Sequence, residues 1–122
     1  DANLTTMFQG ATSFNQNLSS WDTSNVINMD SMFYGATSFN GELNGWSFGP
    51  DANLTHMFYG AISFNQNLSS WDTSNVINMS NMFRNATSFN QDLSSWNVVN
   101  VISYGGFDYQ ANSWTLPKPN FN

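Results

Sequence analysis

Apolar positions recur in register every 25 residues along the chain, separated by stretches of Asn, Ser and Thr. One such unit has too few apolar residues to enclose a core, whereas stacked units bury equivalent positions against each other. Met-Phe pairs, Ser-Phe-Asn triplets and single Leu, Ala and Trp positions all keep this step. The Trp positions are Trp21, Trp46, Trp71 and Trp96. The pattern predicts a solenoid in which each column of equivalent residues becomes a ladder.

Within one unit, the apolar spacing predicts a short helix followed by an extended segment. The inward face of this helix consists of Met29, Met32, Phe33 and Ala36, at positions i, i+3, i+4 and i+7. Asn28 is the expected N-cap and Gly35 the expected left-handed terminator. A short strand is expected around Leu43. The expected fold is an α/β solenoid with one short strand and one short helix per coil, and an all-β solenoid is the alternative.

The repeats divide the chain into two parts. Residues 1–96 hold four 25-residue coils, the first of which enters in mid-repeat, and residues 97–122 form a C-terminal capping coil and tail. The tail contains Leu-Pro-Lys-Pro at 116–119, and proline interrupts helices and central strands. An open first coil exposes apolar surface and strand edges. Missing repeats or a neighbouring subunit are therefore expected to cover it.

A column of asparagines follows the Ser-Phe pairs in every repeat. It consists of Asn15, Asn40, Asn65 and Asn90. A carboxamide donates and accepts hydrogen bonds at once, so stacked Asn side chains can pair the backbone groups of buried turns. We therefore predict that the Asn and Trp columns are structural ladders rather than ligand sites.

Several short motifs of the repeat resemble a known family. Met-Phe, Ser-Phe-Asn, Leu-Ser-Ser-Trp and Ser-Asn-Val, over residues 1–101, are similar to the bacterial surface-protein repeat called the BspA-like DUF285 family. This resemblance implies a right-handed, leucine-rich-repeat-like stack with one short parallel strand per coil and short helices opposite. It also implies a secreted or surface-anchored protein that acts in adhesion or recognition.

Charge and composition argue against several classes of partner. Eight acidic and two basic residues give a net charge of −6, whereas nucleic acids and anionic lipid surfaces attract clustered Lys and Arg. No stretch approaches the roughly 18 apolar residues of a membrane span. We therefore expect no nucleic-acid partner and no membrane insertion by this segment. The chain contains no Cys, which excludes thiolate metal sites and a Cys nucleophile, and we expect no cofactor.

The sequence offers no catalytic constellation. A Ser-His-Asp mechanism needs a histidine base, and the single histidine is His56. Its column also contains Thr6, Ser31 and Asn81, which predicts a solvent-facing position. The turns that start at Asp22 and Asp72 offer some oxygens to calcium, but such turns usually bond their own backbone. We predict no enzyme activity and no metal site.

A partner is expected on the variable columns, because the constant columns form the core. Tyr34, Tyr59 and Arg84 share one such column; Tyr and Arg are frequent recognition residues, and Arg stacks on Tyr rings. We predict these three and His56 as candidate binding residues, with ordinary packing between coils as the alternative. A flat, uncharged second set on the strand face suits carbohydrate or another subunit. It includes Gln16, Gln66, Gln91, Ser20, Ser70 and Ser95.

These observations favour a non-enzymatic repeat module, extracellular or on a cell surface, that acts in adhesion or recognition. The expected partner is a protein or carbohydrate on a surface. The alternative is a structural subunit whose copies stack end to end into an extracellular fibre, in which case the partner is another copy of the chain.

Overall fold

Four short parallel strands form one sheet in the computed structural model, which describes residues 2–121. The predicted units 1–96 and 97–122 include Asp1 and Asn122, which lie outside the described residues. The strands lie side by side in the order of the chain. They are β1 (Ala2–Asn3), β2 (Val26–Asn28), β3 (Ala52–Asn53) and β4 (Val76–Asn78). The predicted parallel strands are thus confirmed, with one strand for each 25-residue step.

The position predicted for the strand, around Leu43, is wrong. The strands follow the polar turn, where Val26 and Ile27 are β-branched and favour an extended backbone. In the segment that precedes this turn, Leu18 N–H donates to the carbonyl of Glu42 in the next repeat (2.9 Å), but Leu18 C=O accepts from Trp21 N–H three residues later (3.1 Å). This local turn prevents a continuous ladder, so the Leu residues are buried without forming a strand.

The predicted helix is also wrong, since the described residues contain no helix. Residues 29–36 and their equivalents instead form a ribbon of consecutive turns, which we call the turn ribbon. Asn28 therefore caps no helix, and its Oδ1 accepts the backbone N–H of Asp30 (3.1 Å). Over residues 2–121, accordingly, no helix is found with the length and apolarity that crossing a membrane would require.

The acceptors of the backbone N–H groups explain why this segment forms a turn ribbon. Met32 N–H donates to the carbonyl of Met29, three residues back (3.1 Å), but Phe33 N–H donates to Met57 in the next repeat (2.9 Å). This alternation continues through the ribbon, so every second N–H leaves its own repeat. An α-helix would keep all of these bonds within the segment. Pairing with neighbouring repeats therefore replaces helix formation.

Two positions in each turn ribbon have left-handed backbone. Gly35 has a φ of 68°, as predicted for a left-handed residue, but Ser31 also has a φ of 59°. Its equivalents His56 and Thr6 have φ values of 58°, although Thr6 is β-branched and such residues rarely adopt this conformation. The hydrogen bonds between neighbouring repeats require these left-handed turns. They therefore override the preference of Thr6 for a negative φ.

Replacing Gly60 with Val tests the second left-handed position. Gly60 has a φ of 69°, so we expect Gly60→Val to lower the free energy of unfolding by about 1–3 kcal/mol. Gly60→Asn is the matched control, since Asn85 occupies the equivalent position with a φ of 60°. Urea denaturation followed by circular dichroism measures both variants. Equal losses for Val and Asn would show that backbone conformation is not the cause.

The core consists of apolar rows that run through the stack of repeats. Phe33, Phe58 and Phe83 form one row, with ring centroids 5.5 and 5.3 Å apart. The rings of Phe39 and Phe64, 5.6 Å apart, continue a second row directly beside it. These five rings are fully buried. Offset-stacked rings at this separation add to the stability gained from burial itself.

The Trp residues form a third row and also bind the backbone. Ring centroids of successive Trp residues lie 6.4, 5.8 and 5.7 Å apart along Trp21, Trp46, Trp71 and Trp96. The indole N–H of Trp71 donates to the buried carbonyl of Leu43 in the preceding repeat (2.7 Å). Trp46 and Trp96 make the equivalent bond. Trp46, Trp71 and Trp96 therefore each join two repeats by stacking and by a hydrogen bond.

The two ends of the stack differ. In the first repeat Met7 is 52% exposed, whereas its equivalent Met32 is fully buried. At the other end Trp114 meets Phe89 edge to face, with centroids 4.8 Å apart and an interplanar angle of 81°. The tail then packs Phe121 on the ring of Tyr104, 4.3 Å away. The two face-to-face Phe rows thus end at the perpendicular rings of Phe107 and Trp114, next to the tail.

Candidate recognition surface

A row of aromatic and Arg side chains crosses the outer side of the turn ribbons. Tyr34 and Tyr59 stack with centroids 4.5 Å apart and an interplanar angle of 13°. The guanidinium carbon of Arg84 lies 5.7 Å from the Tyr59 centroid and 4.6 Å from that of Tyr109. We call these four residues the aromatic row. The row arises because residues 25 positions apart stack, and it needs no helix.

Tyr109 was missed by the sequence interpretation. It follows Arg84 at the same 25-residue step, so the signal was present, but the divergent fifth repeat obscured it. Tyr109 is 52% exposed, whereas Tyr34, Tyr59 and Arg84 are half-buried. The row is therefore longer than predicted and ends in an exposed ring.

Polar side chains lie beside the aromatic row and connect to it. The Asn81 side-chain amide nitrogen is 3.3 Å from His56 Nε2, and Asn81 Oδ1 accepts a long bond from Arg84 Nη1 (3.4 Å). The other ring nitrogen, His56 Nδ1, is 3.8 Å from Asp30 Oδ1. The candidate residue His56 is thus brought to the row through Asn81.

His56 lies at the surface, with its side chain 34% exposed. Its ring lies edge-on to Tyr34, with centroids 6.2 Å apart, so packing against the row covers part of it. The nearby Ser31 hydroxyl donates to Asp30 Oδ1 (2.7 Å). In a Ser-His-Asp triad the serine would bond to the histidine instead. This trio therefore lacks the connections of a proton relay.

The aspartate turns bond their own chain. The Ser24 hydroxyl and backbone N–H both donate to Asp22 Oδ1, at 2.7 and 3.0 Å, and these bonds hold the pKa of Asp22 below its ordinary value. Ser74 does the same for the pKa of Asp72. The self-bonded turn is thus confirmed at both aspartates. Among residues 2–121, no three His, Asp or Glu side chains lie together in a group able to hold a metal ion.

The Asn column forms hydrogen bonds from repeat to repeat. Asn40 Oδ1 accepts the backbone N–H of Asn65, and Asn65 Oδ1 accepts that of Asn90, each at 2.8 Å. Two residues of the predicted flat face take part, because Gln66 and Gln91 donate to these Asn residues. Their amide groups are therefore used within the stack, which leaves the aromatic row as the better candidate for recognition.

Comparison with known proteins gives one match. The family model described as "Mycoplasma protein of unknown function, DUF285" matches residues 2–60 and, in an overlapping second segment, residues 51–122. No curated protein and no solved structure matches the chain. The two segments include every residue of the aromatic row.

Proposed function

We propose that this chain, which belongs to the DUF285 family, is a non-enzymatic recognition module whose binding surface is the aromatic row. The continuity of that row over four repeats carries the proposal. Its stacked side chains are already ordered, so binding would immobilise few free rotamers. Tyr and Arg are also the residue types that dominate binding energy in many interfaces.

The architecture that we propose for this module is a solenoid without helices, built from turn ribbons and short parallel strands. Backbone hydrogen bonds between residues 24 apart, such as Phe58 N–H to Met82 C=O (2.8 Å), support it. We expect a right-handed path, the usual hand of connections between parallel strands. We also propose that the module acts outside the cell or on its surface, since its motifs resemble bacterial surface-protein repeats.

The test replaces Tyr34, Tyr59 and Tyr109 together with Ser. Labelled parent protein and variant are applied to arrayed glycans and to arrayed extracellular proteins. We expect the parent to bind a defined subset, and the variant to bind it at least about tenfold more weakly, because the loss of a single Tyr hot spot typically costs about 2 kcal/mol or more. Circular dichroism checks that the variant remains folded.

A matched control replaces three exposed serines of another column, Ser38, Ser63 and Ser88, with Ala. This variant should bind like the parent, because the serines are exposed and take no part in the aromatic row. The proposal fails if the parent binds nothing on either array. It fails equally if the Tyr variant binds as tightly as the serine control.

Self-association is the second candidate function, favoured by backbone groups of the repeat that contains Phe107. There the backbone N–H groups of Gly106 and Asp108 have no acceptor among the described residues. Their equivalents in the preceding repeat, Asn81 and Phe83, donate to the next repeat. End-to-end stacking of copies would pair these groups once the tail moved aside. Light scattering decides: growth in mass with concentration supports assembly, and a constant monomer mass excludes it.

A further inference from the structure

We propose that Arg84 is a receptor for a carboxylate on an acidic glycan in which charged and neutral sugars alternate. This inference rests on the proposed function and names the chemistry of the partner. Arg84 is the only charged member of the aromatic row, whose other members are Tyr34, Tyr59 and Tyr109. The two flanking rings orient its guanidinium, at 5.7 and 4.6 Å from their centroids.

The positive charge of Arg84 lacks a partner within the described part of the chain. The ion pair there joins Lys118 to Asp108 (2.7 Å), a further contact joins His56 to Asp30 (3.8 Å), and neither includes Arg84. Arg84 Nε is buried without an acceptor, and Nη1 makes only the long bond to Asn81. Unpaired buried donors and charges are unfavourable. An external anion could not reach the buried Nε, but at the Nη groups it would supply the missing counter-charge.

The neighbouring repeats position this guanidinium. Asn81 Oδ1 accepts a bond from Arg84 Nη1. The Asn81 side chain fits there because the facing residue of the next repeat, Gly106, has no side chain; a Cβ at Gly106 would clash with Asn81 Oδ1. The same Cβ would lie 3.9 Å from Arg84 Nη1. Gly106 thus keeps open the side of the row on which Asn81 meets Arg84. A planar guanidinium fixed in this way fits a carboxylate through two parallel N–H bonds.

The surroundings of Arg84 favour a glycan with separated charges. The phenol groups of Tyr59 and Tyr109 flank Arg84 and can exchange hydrogen bonds with sugar hydroxyls. The chain has a net charge of −6, which repels a densely charged polyanion. A glycan that alternates a hexuronate with a neutral sugar places one carboxylate on Arg84 and neutral rings on the flanking tyrosines.

The test measures binding of three probes by calorimetry. They are an oligosaccharide alternating hexuronate with a neutral sugar, the same oligosaccharide with its carboxyl groups reduced to alcohols, and an N-acetylated tetrapeptide with uncharged side chains and a free C-terminal carboxylate. We expect the parent to bind the acidic oligosaccharide at least about tenfold more tightly than either other probe, the size of one charge-assisted hydrogen bond. Added salt should reduce this preference.

Arg84→Tyr is the decisive variant, because Tyr already occupies this column at Tyr34, Tyr59 and Tyr109. It should unfold at a temperature no lower than the parent and lose the preference for the acidic probe. Arg84→Lys should keep part of it, since an ammonium has the charge without the planar fork.

The inference is overturned if Arg84→Tyr keeps the preference, if the parent binds the acidic and reduced oligosaccharides equally, if the tetrapeptide binds best, or if no probe binds. Its failure can be distinguished from failure of the proposed function. If the Tyr34, Tyr59 and Tyr109 variant loses array binding while Arg84→Tyr keeps it, the row is a recognition surface without an anion receptor. If both variants bind the arrays like the parent, the proposed function itself is wrong.

Discussion

Replacing Phe58 with Ala should lower the free energy of unfolding by about 3–5 kcal/mol, the usual loss for a fully buried Phe. Phe58 has no exposed surface. Its ring stacks on Phe33 at 5.5 Å, on Phe64 at 4.3 Å and on Phe83 at 5.3 Å. The substitution therefore opens a cavity at the centre of two ring rows. Repeats on both sides contribute to its walls, which limits how far the site can collapse.

The matched control for Phe58→Ala is Phe8→Ala, at the equivalent position of the first repeat. Phe8 is only half-buried, and along its row it has a neighbour on one side, Phe33 at 5.5 Å. We expect a clearly smaller loss, because less apolar area returns to water. Urea denaturation followed by circular dichroism measures both variants. Equal losses at the two positions would contradict an origin in the stacking of repeats.

The aromatic columns were predictable because their burial depends on repetition alone. Apolar residues that recur at a fixed step are buried together when the units stack, whatever the backbone path between them. The rows of Phe33, Phe39 and Trp46 follow from the 25-residue period without any assumption about helices or strands. For the same reason Tyr34, Tyr59 and Arg84 lie in one row although the helix proposed to carry them is absent.

The turn ribbon was not predictable from the apolar spacing. Met29, Met32, Phe33 and Ala36 form one face of a helix, and they are equally the inward residues of consecutive turns. What separates the two structures is whether each backbone N–H bonds within its repeat or to the next repeat. That choice is made by partners 24 residues away, such as Tyr59 C=O for Gly35 N–H (2.8 Å). A local pattern contains no signal for it.

The left-handed positions were predictable only in part. At Gly35 and Gly60 the residue type indicates a positive φ, because glycine adopts it without steric cost. At Thr6 the β-branched side chain argues against it, yet Thr6 and His56 both have φ values of 58°. Their conformation follows from the bonds of the ribbon. The polar network of Asp30, His56 and Asn81 depends on these turns, so its geometry could not be predicted from the sequence.

The residues of the Trp column must also donate a hydrogen bond, which explains why they are Trp rather than another large apolar residue. The Trp71 indole N–H donates to Leu43 C=O at 2.7 Å, and no other bond to this carbonyl is present among residues 2–121. Phe would fill most of the space but donate nothing. A buried carbonyl left without a donor is unfavourable by about 1–3 kcal/mol.

Trp71→Phe should therefore lower the free energy of unfolding by about 2–4 kcal/mol, from the unpaired carbonyl and the smaller ring together. Trp21→Phe is the control: Trp21 is half-buried, stacks on Trp46 alone within its row (6.4 Å), and its indole N–H has no acceptor in the described part of the chain. Its loss should be under about 1 kcal/mol, since only partly buried area is removed. Both are measured by urea denaturation with far-ultraviolet circular dichroism, because indole fluorescence changes with the substitution itself. A loss at Trp71 no greater than at Trp21 would mean that the bond between repeats contributes nothing, and that the Trp column is retained for its size alone.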